Sequence, residues 1–137
     1  MTYIFDACAL IAFLNDEKGK GYEPVRDLLG RANREEISLC MSLVNLVEVH
    51  YRYVQLKGTE TADIIMKSVR TLPIRFISDI TDEIYFKTAH YKARYPISLG
   101  DAFLCGTAKS LAAVIVTKDK EIKYAEEKES LSVQWIQ

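Results

Sequence analysis

Acidic side chains follow two of the predicted strands in this 137-residue chain. Asp6 comes directly after the strand-like run at 2–5, and Asp119 comes two residues after the apolar run that ends at Thr117. The carboxyl ends of parallel strands lie at one edge of a sheet, where ligands and catalytic groups collect. We therefore expect Asp6 and Asp119 to converge if their strands are neighbours.

Two further acids, Glu48 and Asp101, lie in predicted helices. Glu48 has Val44 and Tyr51 as its i−4 and i+3 neighbours, so we expect its carboxylate to be partly withdrawn from water. Asp101 opens a helix of mostly small residues, which allow close approach to a neighbouring helix. The sequence does not fix whether these helices return to the strand ends, so convergence of all four acids is a hypothesis.

Converging carboxylates would require a cation. Two like charges about 4 Å apart repel by about 4 kcal/mol at an effective dielectric constant near 20. Oxygen ligands suit Mg²⁺ or Mn²⁺, whereas His50 and His90 lie in no Cys/His pattern that would indicate zinc. Such a site lowers the pKa of bound water and stabilises charge on a phosphodiester oxygen, so the chemistry indicated is phosphoester hydrolysis.

Each acid also has a purely structural explanation. Asp6 is a good helix N-cap, Asp101 occupies the acidic position of a capping-box pattern, and Asp119 is a second candidate N-cap. Glu48 has the spacing for an ion pair with Arg52 one turn later. The sequence leaves both explanations open for every one of these residues.

Strand-like and helical segments alternate along the chain. Strands are predicted at 2–5, 37–41, 75–78, 113–117 and 132–136. Helices are predicted after Asp6 and at 23–34, 43–57, 59–71, 82–94, 101–111 and 121–129, with a loop at 15–21. Asp79 and Asp82 are the expected caps of the fifth helix. This order predicts a single domain over 1–137, a three-layer α/β/α sandwich with a mostly parallel sheet of four to five strands.

The helix after Ser42 shows an apolar face. Its periodicity predicts that Val47 and Tyr51 pack against the core and that Asn45 lies on the other side. Ser42 is expected to cap its N-terminus.

Composition limits the class of protein further. A net charge of −1 gives no global case for a nucleic-acid partner, so any such case rests on local patches. Cys8, Cys40 and Cys105 show no C-x-x-C spacing and are expected to be buried thiols. No apolar run reaches the ~18 residues of a membrane span and no basic leader precedes the first strand, so we expect a cytoplasmic protein.

The order and spacing of four motifs are similar to one known family. They are the strand that ends in Asp6, SLVNLVEV from Ser42 through Glu48, GDAFLCGTA with Asp101, and IVTKDKEI with Asp119. Together they resemble the PIN-domain ribonucleases, and among them the VapC-type toxins of type II toxin–antitoxin systems. The resemblance covers nearly the whole chain.

The resemblance implies an Mg²⁺- or Mn²⁺-dependent endoribonuclease that hydrolyses RNA phosphodiester bonds. The metal-binding and catalytic roles would fall on Asp6, Glu48, Asp101 and Asp119, with assistance from Thr117 and from Ser42. It also implies a homodimer and a cognate antitoxin whose tail blocks the acidic groove. Candidates for contact with the RNA backbone are the basic residues Arg26, Arg31, Arg34, Arg52, Lys87, Lys92 and Arg94, any of which could equally be an ordinary solvated side chain.

The chain departs from the family pattern at two positions. Many relatives have Ser or Asn where this chain has Cys8, and Asn or a small residue where it has Lys118. These departures concern side chains around the acids, because all four acids are present.

Other classes of protein with clustered acids or nucleotide-binding motifs fit the sequence less well. A receiver domain would want an acidic pair near the end of the first strand, and a haloacid-dehalogenase-type phosphatase would want D-x-D where this chain has Asp6-Ala7-Cys8. No Walker or G-x-G-x-x-G motif is present. A non-toxin PIN-type RNA-processing nuclease and a catalytically weak PIN-like protein that binds RNA or a partner remain as alternatives.

Overall fold

The computed structural model describes residues 1–16 and 21–137, so most of the predicted loop at 15–21 lies outside the described residues. In chain order the elements are β1 (Thr2–Phe5), α1 (Ala7–Leu14), α2 (Tyr22–Asn33), β2 (Ser38–Ser42), α3 (Leu43–Lys57), α4 (Thr59–Val69), β3 (Arg75–Ile77), α5 (Asp82–Arg94), α6 (Leu99–Leu111), β4 (Val114–Thr117), α7 (Ile122–Glu129) and β5 (Val133–Trp135). The predicted alternation of strands and helices is confirmed.

All five strands are parallel and pair in the order β3-β2-β1-β4-β5. Strand β1 is central, with β2 on one side and β4 on the other, and Phe5 is opposite Val116. The strand order reverses at β1, which makes the carboxyl ends of β1 and β4 the switch point where α/β proteins bind ligands. The strands that precede Asp6 and Asp119 are thus neighbours, as their convergence requires.

The two faces of the sheet are covered by different helices. Tyr3 and Phe5 belong to a buried cluster with residues of α1 to α4, whereas Ile4 belongs to a second cluster with residues of α5 to α7. This alternation follows from the two-residue period of a strand that is buried on both faces. The predicted three-layer α/β/α sandwich is confirmed.

Two helix starts differ from the prediction. Helix α6 begins at Leu99, because Ser98 has extended backbone and accepts a hydrogen bond from Asp101 N. Asp101 therefore lies in the first turn instead of opening the helix. The cap of α5 is Thr81, whose hydroxyl accepts from Ile84 N at 3.2 Å, so the expectation of an Asp79 or Asp82 cap was wrong.

The orientation of α3 also differs from the prediction. Val47 and Tyr51 are 61% and 46% exposed, whereas Asn45 is fully buried. The helix has apolar residues around much of its circumference, so periodicity alone does not fix its buried side. The buried Asn45 Nδ2 donates two hydrogen bonds, which are described below, whereas its Oδ1 is buried without a partner among the described residues.

Helices α5 and α6 approach closely at Gly106. A Cβ atom there would lie 2.8 Å from the backbone nitrogen of Thr88. The prediction that small residues allow α6 a close contact is confirmed at this position.

The cysteines are unpaired; Cys40 and Cys105 are buried, while Cys8 is only partly buried. Among the helices of the described residues, none combines the length and apolarity that a membrane crossing needs.

Candidate metal centre

Three aspartates converge at the carboxyl edge of the sheet. Asp6, Asp101 and Asp119 each offer one oxygen, and these atoms lie within 4.8 Å of one another. Asp6 and Asp101 are each only 4% exposed, and Asp119 is half-buried. The end of β1, the first turn of α6 and the segment after β4 therefore bring three carboxylates together.

Asp6 caps α1 and also belongs to this cluster. Its Oδ1 accepts from Ala7 N at 2.7 Å, and its Oδ2 accepts from the Thr117 hydroxyl at 2.7 Å. Burial raises the pKa of Asp6 to about 6, although the hydrogen bonds from Thr117, Cys8 and Ala7 favour the charged form. Helix capping therefore explains the contact of Oδ1, whereas Oδ2 contacts Thr117 at the end of β4.

Asp101 takes part in only half of a capping box. Its N–H donates to Ser98 Oγ at 3.1 Å, while its Oδ2 is buried without a hydrogen-bond partner among the described residues. A buried carboxylate oxygen without a partner is costly. Burial and then the charge of Asp6 hold the pKa of Asp101 well above its usual range. Helix capping therefore does not explain why a carboxylate occupies this position.

Asp119 stabilises the turn that leads from β4 into α7. Its N–H donates to Thr117 Oγ1 at 2.9 Å, and its Oδ1 accepts from Glu121 N at 3.0 Å. One carboxylate oxygen thus serves the turn, and the side chain also reaches the cluster.

Glu48 lies against the first turn of α6. Its Oε1 accepts from Asn45 Nδ2 at 2.9 Å, and the same amide donates to the Gly100 carbonyl at 3.1 Å. A Cβ on Gly100 would lie 2.3 Å from Glu48 Oε1. The structure therefore places Glu48 next to the residue before Asp101, outside the three-aspartate cluster.

The other explanation for Glu48 does not hold in this structure. No ion pair joins Glu48 to Arg52 within residues 1–16 and 21–137. Its carboxylate is half-buried, as predicted.

Thr117 and Cys8 connect Asp6 to the segment that carries Asp119. The Cys8 sulfur lies 3.4 Å from Asp6 Oδ2, 3.4 Å from Thr117 Oγ1, and 3.4 Å from Lys118 N. Burial raises the pKa of the Cys8 thiol to about 12, so it stays protonated and acts as a hydrogen-bonding group. Cys8, which departs from the family pattern, thus helps to hold the Asp6 carboxylate in place.

Ser42 caps α3, as predicted, with its hydroxyl accepting from Val44 N at 3.2 Å. No hydrogen bond joins it to Asp6, Asp101 or Asp119 among the residues that the structure describes. Its assisting role stays a prediction.

Sequence reasoning missed two residues near the aspartates. Asn45 was expected to face away from the core, although it holds Glu48 against α6. The sequence predicts Glu121 only as the start of a helix, whereas its carboxylate is near enough to Asp101 to raise the pKa of that carboxyl. The alternation T-x-D-x-E directly after a strand was a signal for Glu121; no comparable signal pointed to Asn45.

Most of the predicted RNA-contacting side chains have local partners. Arg26, Arg34 and Lys87 pair with Glu23, Glu36 and Glu83. Lys92 donates to the Ile97 carbonyl at 2.8 Å, and the Arg31 guanidinium lies 5.9 Å from the centroid of the Tyr3 ring. Arg52 and Arg94 lie on α3 and α5. The role of all seven in RNA binding stays a prediction.

The donor set fits a hard divalent cation. The three clustered side chains offer only carboxylate oxygens, and one oxygen of Asp101 is buried without a partner. Oxygen-only sets favour Mg²⁺ or Mn²⁺ over zinc. His50 and His90 contact Asp63 and Glu129 instead.

The comparison with protein families gives the class. The PIN domain family matches residues 3–128, so the chain belongs to the PIN-domain family, a family of nucleases. No curated protein matches the sequence significantly.

Solved structures with this fold include toxin–antitoxin complexes. The chain resembles DNA-bound VapBC from Salmonella typhimurium with a TM-score of 0.78 and 17% identity, over 100% of this chain and 99% of that one. It resembles VapBC2 from Rickettsia felis, bound to a promoter DNA fragment, with a TM-score of 0.76, 16% identity and 98% coverage of both chains. It resembles VapBC-1 from nontypeable Haemophilus influenzae with a TM-score of 0.74 and 19% identity, over 99% of this chain and 98% of that one. At these identities the likeness shows the fold.

Proposed function

We propose that this protein is an Mg²⁺- or Mn²⁺-dependent endoribonuclease and the toxin of a toxin–antitoxin module. The observation that carries the proposal is the convergence of Asp6, Asp101 and Asp119 within 4.8 Å at the switch point of a PIN domain. The buried Asp101 oxygen without a partner supports a cation there, since a cation would both satisfy it and offset the repulsion among the carboxylates.

The three aspartates would hold the ion, and Glu48 would contribute from the neighbouring position against Gly100. Metal of this kind supplies a bound water of lowered pKa and stabilises charge on the phosphodiester. Thr117 fixes the orientation of Asp6 by donating to Oδ2. Asn45 fixes Glu48 by bonding both its carboxylate and α6. Hydrolysis adds water across one P–O bond and releases two RNA fragments.

Protons and a metal ion compete for the carboxylates of Asp6 and Asp101. The pKa of Asp6 is raised to about 6, and that of Asp101 is also raised, by burial and by neighbouring negative charge. A divalent cation would lower both, because it favours the ionised carboxylates. Metal binding is therefore expected to release protons and to strengthen as pH rises.

The toxin assignment is supported by the structural neighbours from Salmonella typhimurium, Rickettsia felis and Haemophilus influenzae, which are VapBC complexes aligned over almost the entire chain. On this basis we propose a cognate antitoxin as partner, a homodimeric toxin and a cytoplasmic location. Growth arrest on expression that a co-expressed antitoxin relieves would distinguish a toxin from a stand-alone RNA-processing nuclease. Failure of expression to slow growth would favour the stand-alone nuclease.

The test of the proposed activity compares RNA and DNA of one sequence. Purified protein is incubated with each single strand in Mn²⁺ and in EDTA, beside Asp6→Asn and the exposed control Asp27→Asn. We expect RNA cleavage only with metal, unchanged in Asp27→Asn and abolished in Asp6→Asn. Cleavage of DNA alone, or RNA cleavage that persists in EDTA, would contradict the proposal, and binding without cleavage would identify a PIN-like binding protein.

A further inference from the structure

A cavity of about 600 Å³ lies beside the metal centre, and neither the sequence motifs nor the proposed catalytic roles involve it. Among the described residues it is lined by Lys118, Lys120, Lys123, Trp135 and Gln137. Its volume is in the range of sites that hold small organic ligands.

The register of the sheet places this cavity next to the aspartates. In the β4–β5 pair, Trp135 is opposite Thr117, whose hydroxyl donates to Asp6. Lys118 and Lys120 immediately precede and follow Asp119 in the chain. Neighbouring strands are about 4.8 Å apart. Trp135 is thus one strand away from Thr117, the residue that holds Asp6.

Among residues 1–16 and 21–137, the cavity lining combines three lysines, one aromatic ring and a glutamine. Within residues 1–16 and 21–137, neither Lys120 nor Lys123 forms an ion pair. Lys123 Nζ lies 5.5 Å from the Trp135 ring centroid. The charges of Lys120 and Lys123 are therefore not neutralised by an acidic side chain of the described residues, and they can attract an anionic ligand.

A hydrogen bond from the indole N–H fixes the orientation of the Trp135 ring. The indole Nε1 donates to Glu126 Oε1 and Oε2 at 3.3 and 3.2 Å, and the ring is only partly buried. Trp135 lines the cavity with its N–H already paired, so ordering the ring costs little entropy, and an indole face stacks well on a nucleobase.

We propose that this cavity is a nucleotide subsite for single-stranded RNA, in which a base stacks on Trp135 while Lys120 and Lys123 contact the flanking phosphates. The inference rests on the proposed RNA substrate and specifies how that substrate is held. On binding, the long and exposed Lys123 side chain gives up the ring face to the base and takes a phosphate. None of the seven basic residues predicted from the sequence lines this cavity.

Single-stranded RNA fits this chemistry better than an acidic protein segment. Amines alone would attract either polyanion, whereas every nucleotide of a single strand carries both a phosphate for the amines and a flat base for the indole face. Local amines are also needed to bring a phosphodiester next to clustered carboxylates in a chain with a net charge of −1.

Trp135 is the only tryptophan in the sequence, so its fluorescence reports on this cavity alone. Wild-type protein in EDTA is titrated with a short single-stranded RNA, with an abasic ribose-phosphate strand of equal length, and with oligoglutamate. We expect saturable quenching by the RNA and little change with the other two. Equal quenching by the abasic strand would overturn the stacking, and quenching by oligoglutamate alone would assign the cavity to an acidic protein segment.

Affinity for fluorescently labelled RNA, measured by anisotropy, then separates the ring from the amines. Trp135→Leu should weaken binding about 5-fold or more, and Trp135→Phe should retain most of it. Lys120→Gln and Lys123→Gln should each reduce the salt dependence of binding by roughly 0.7 in the log–log slope. The control Lys67→Gln, an exposed lysine on α4 over the opposite face of the sheet, should bind like wild type. Unchanged affinity in the folded lysine variants and in Trp135→Leu would overturn the subsite.

This design separates the subsite from the proposed activity. Metal-dependent cleavage without quenching would contradict the proposed subsite and support the proposed nuclease activity. Quenching and base-dependent binding without cleavage would support the proposed subsite and contradict the proposed nuclease activity.

Discussion

The hydroxyl of Thr117 donates to Asp6 Oδ2 at 2.7 Å and links the ends of β4 and β1 at the switch point of the sheet. The same oxygen, Thr117 Oγ1, accepts from Asp119 N at 2.9 Å. One hydroxyl therefore sets the position of two of the three clustered carboxylates.

Thr117→Val should remove this link while keeping the shape of the side chain. Asp6 would lose a donor that favours its ionised form, so we expect RNA cleavage to fall by about 10- to 100-fold, as is usual when a partner of a metal ligand is removed. Thr117→Ser keeps the hydroxyl and should retain most of the activity. Equal activity in the Val and Ser variants, measured at matched Mn²⁺, would show that the hydroxyl has no supporting role.

Gly100→Ala should lower activity while changing stability little, because the helical gain from alanine is offset by the loss of the Asn45–Glu48 hydrogen bond. The new Cβ would lie 2.3 Å from Glu48 Oε1, so the flexible carboxylate must move away. Displacement by about 1 Å can cost up to about 100-fold in rate, whereas alanine in a helix is about 1 kcal/mol better than glycine.

The matched control for that change is Gly30→Ala on α2, where the nearest atom is Arg34 Nη1 at 3.4 Å. Steady-state cleavage and thermal unfolding of both variants separate the two effects. Full activity in Gly100→Ala would mean that the position of Glu48 does not matter for the reaction.

Gly106→Ala should destabilise the fold itself. Its Cβ would meet the backbone nitrogen of Thr88 at 2.8 Å, and backbone cannot move away as a side-chain tip can. We expect a loss of about 1–3 kcal/mol in the free energy of unfolding, typical of an overpacked contact. Denaturant unfolding beside Gly30→Ala measures it, and a variant as stable as wild type would show that α5 and α6 separate easily.

The stability of the metal-free protein should fall as pH rises above about 4. Asp6 has a folded-state pKa raised to about 6, and the pKa of Asp101 is raised as well, mainly by burial. A raised carboxyl pKa contributes stability that is complete below the unfolded-state value near 4 and is lost as pH rises through the folded-state value. The expected loss therefore begins between pH 4 and 6 and continues above it as Asp101 ionises.

Thermal unfolding in EDTA across pH 4 to 8 measures this dependence. Asp101→Asn should flatten it, because the amide does not ionise. Mn²⁺ at about 100 times its Kd should add about 2.7 kcal/mol to the wild type near neutral pH. A metal-free protein whose stability rises steadily over this range would contradict the account.

The sequence predicted the layers and the convergence of Asp6 with Asp119, because strand alternation and strand ends carry that information. The hypothesis that all four acids converge holds for Asp101 but not for Glu48, which lies outside the three-aspartate cluster. The sequence did not predict the orientation of α3, since apolar residues around much of the helix left its buried side open and the buried residue is the polar Asn45. The role of Asn45 depends on the Gly100 carbonyl 55 positions away in the chain, a contact that only the tertiary structure creates.

The position of Trp135 shows a similar limit. Its place in the last strand was predictable, but its register against Thr117 and the gathering of three lysines around it depend on strand pairing.

Calorimetric titration with Mn²⁺ tests most directly whether the three aspartates bind a divalent cation. The wild type and the exposed control Asp27→Asn should show the same saturable binding, and Asp101→Asn should bind at least about 10-fold more weakly, with thermal unfolding confirming that it is folded. Absence of binding heat in the wild type, or equal affinity in Asp101→Asn, would contradict the assignment of this cluster as a metal centre.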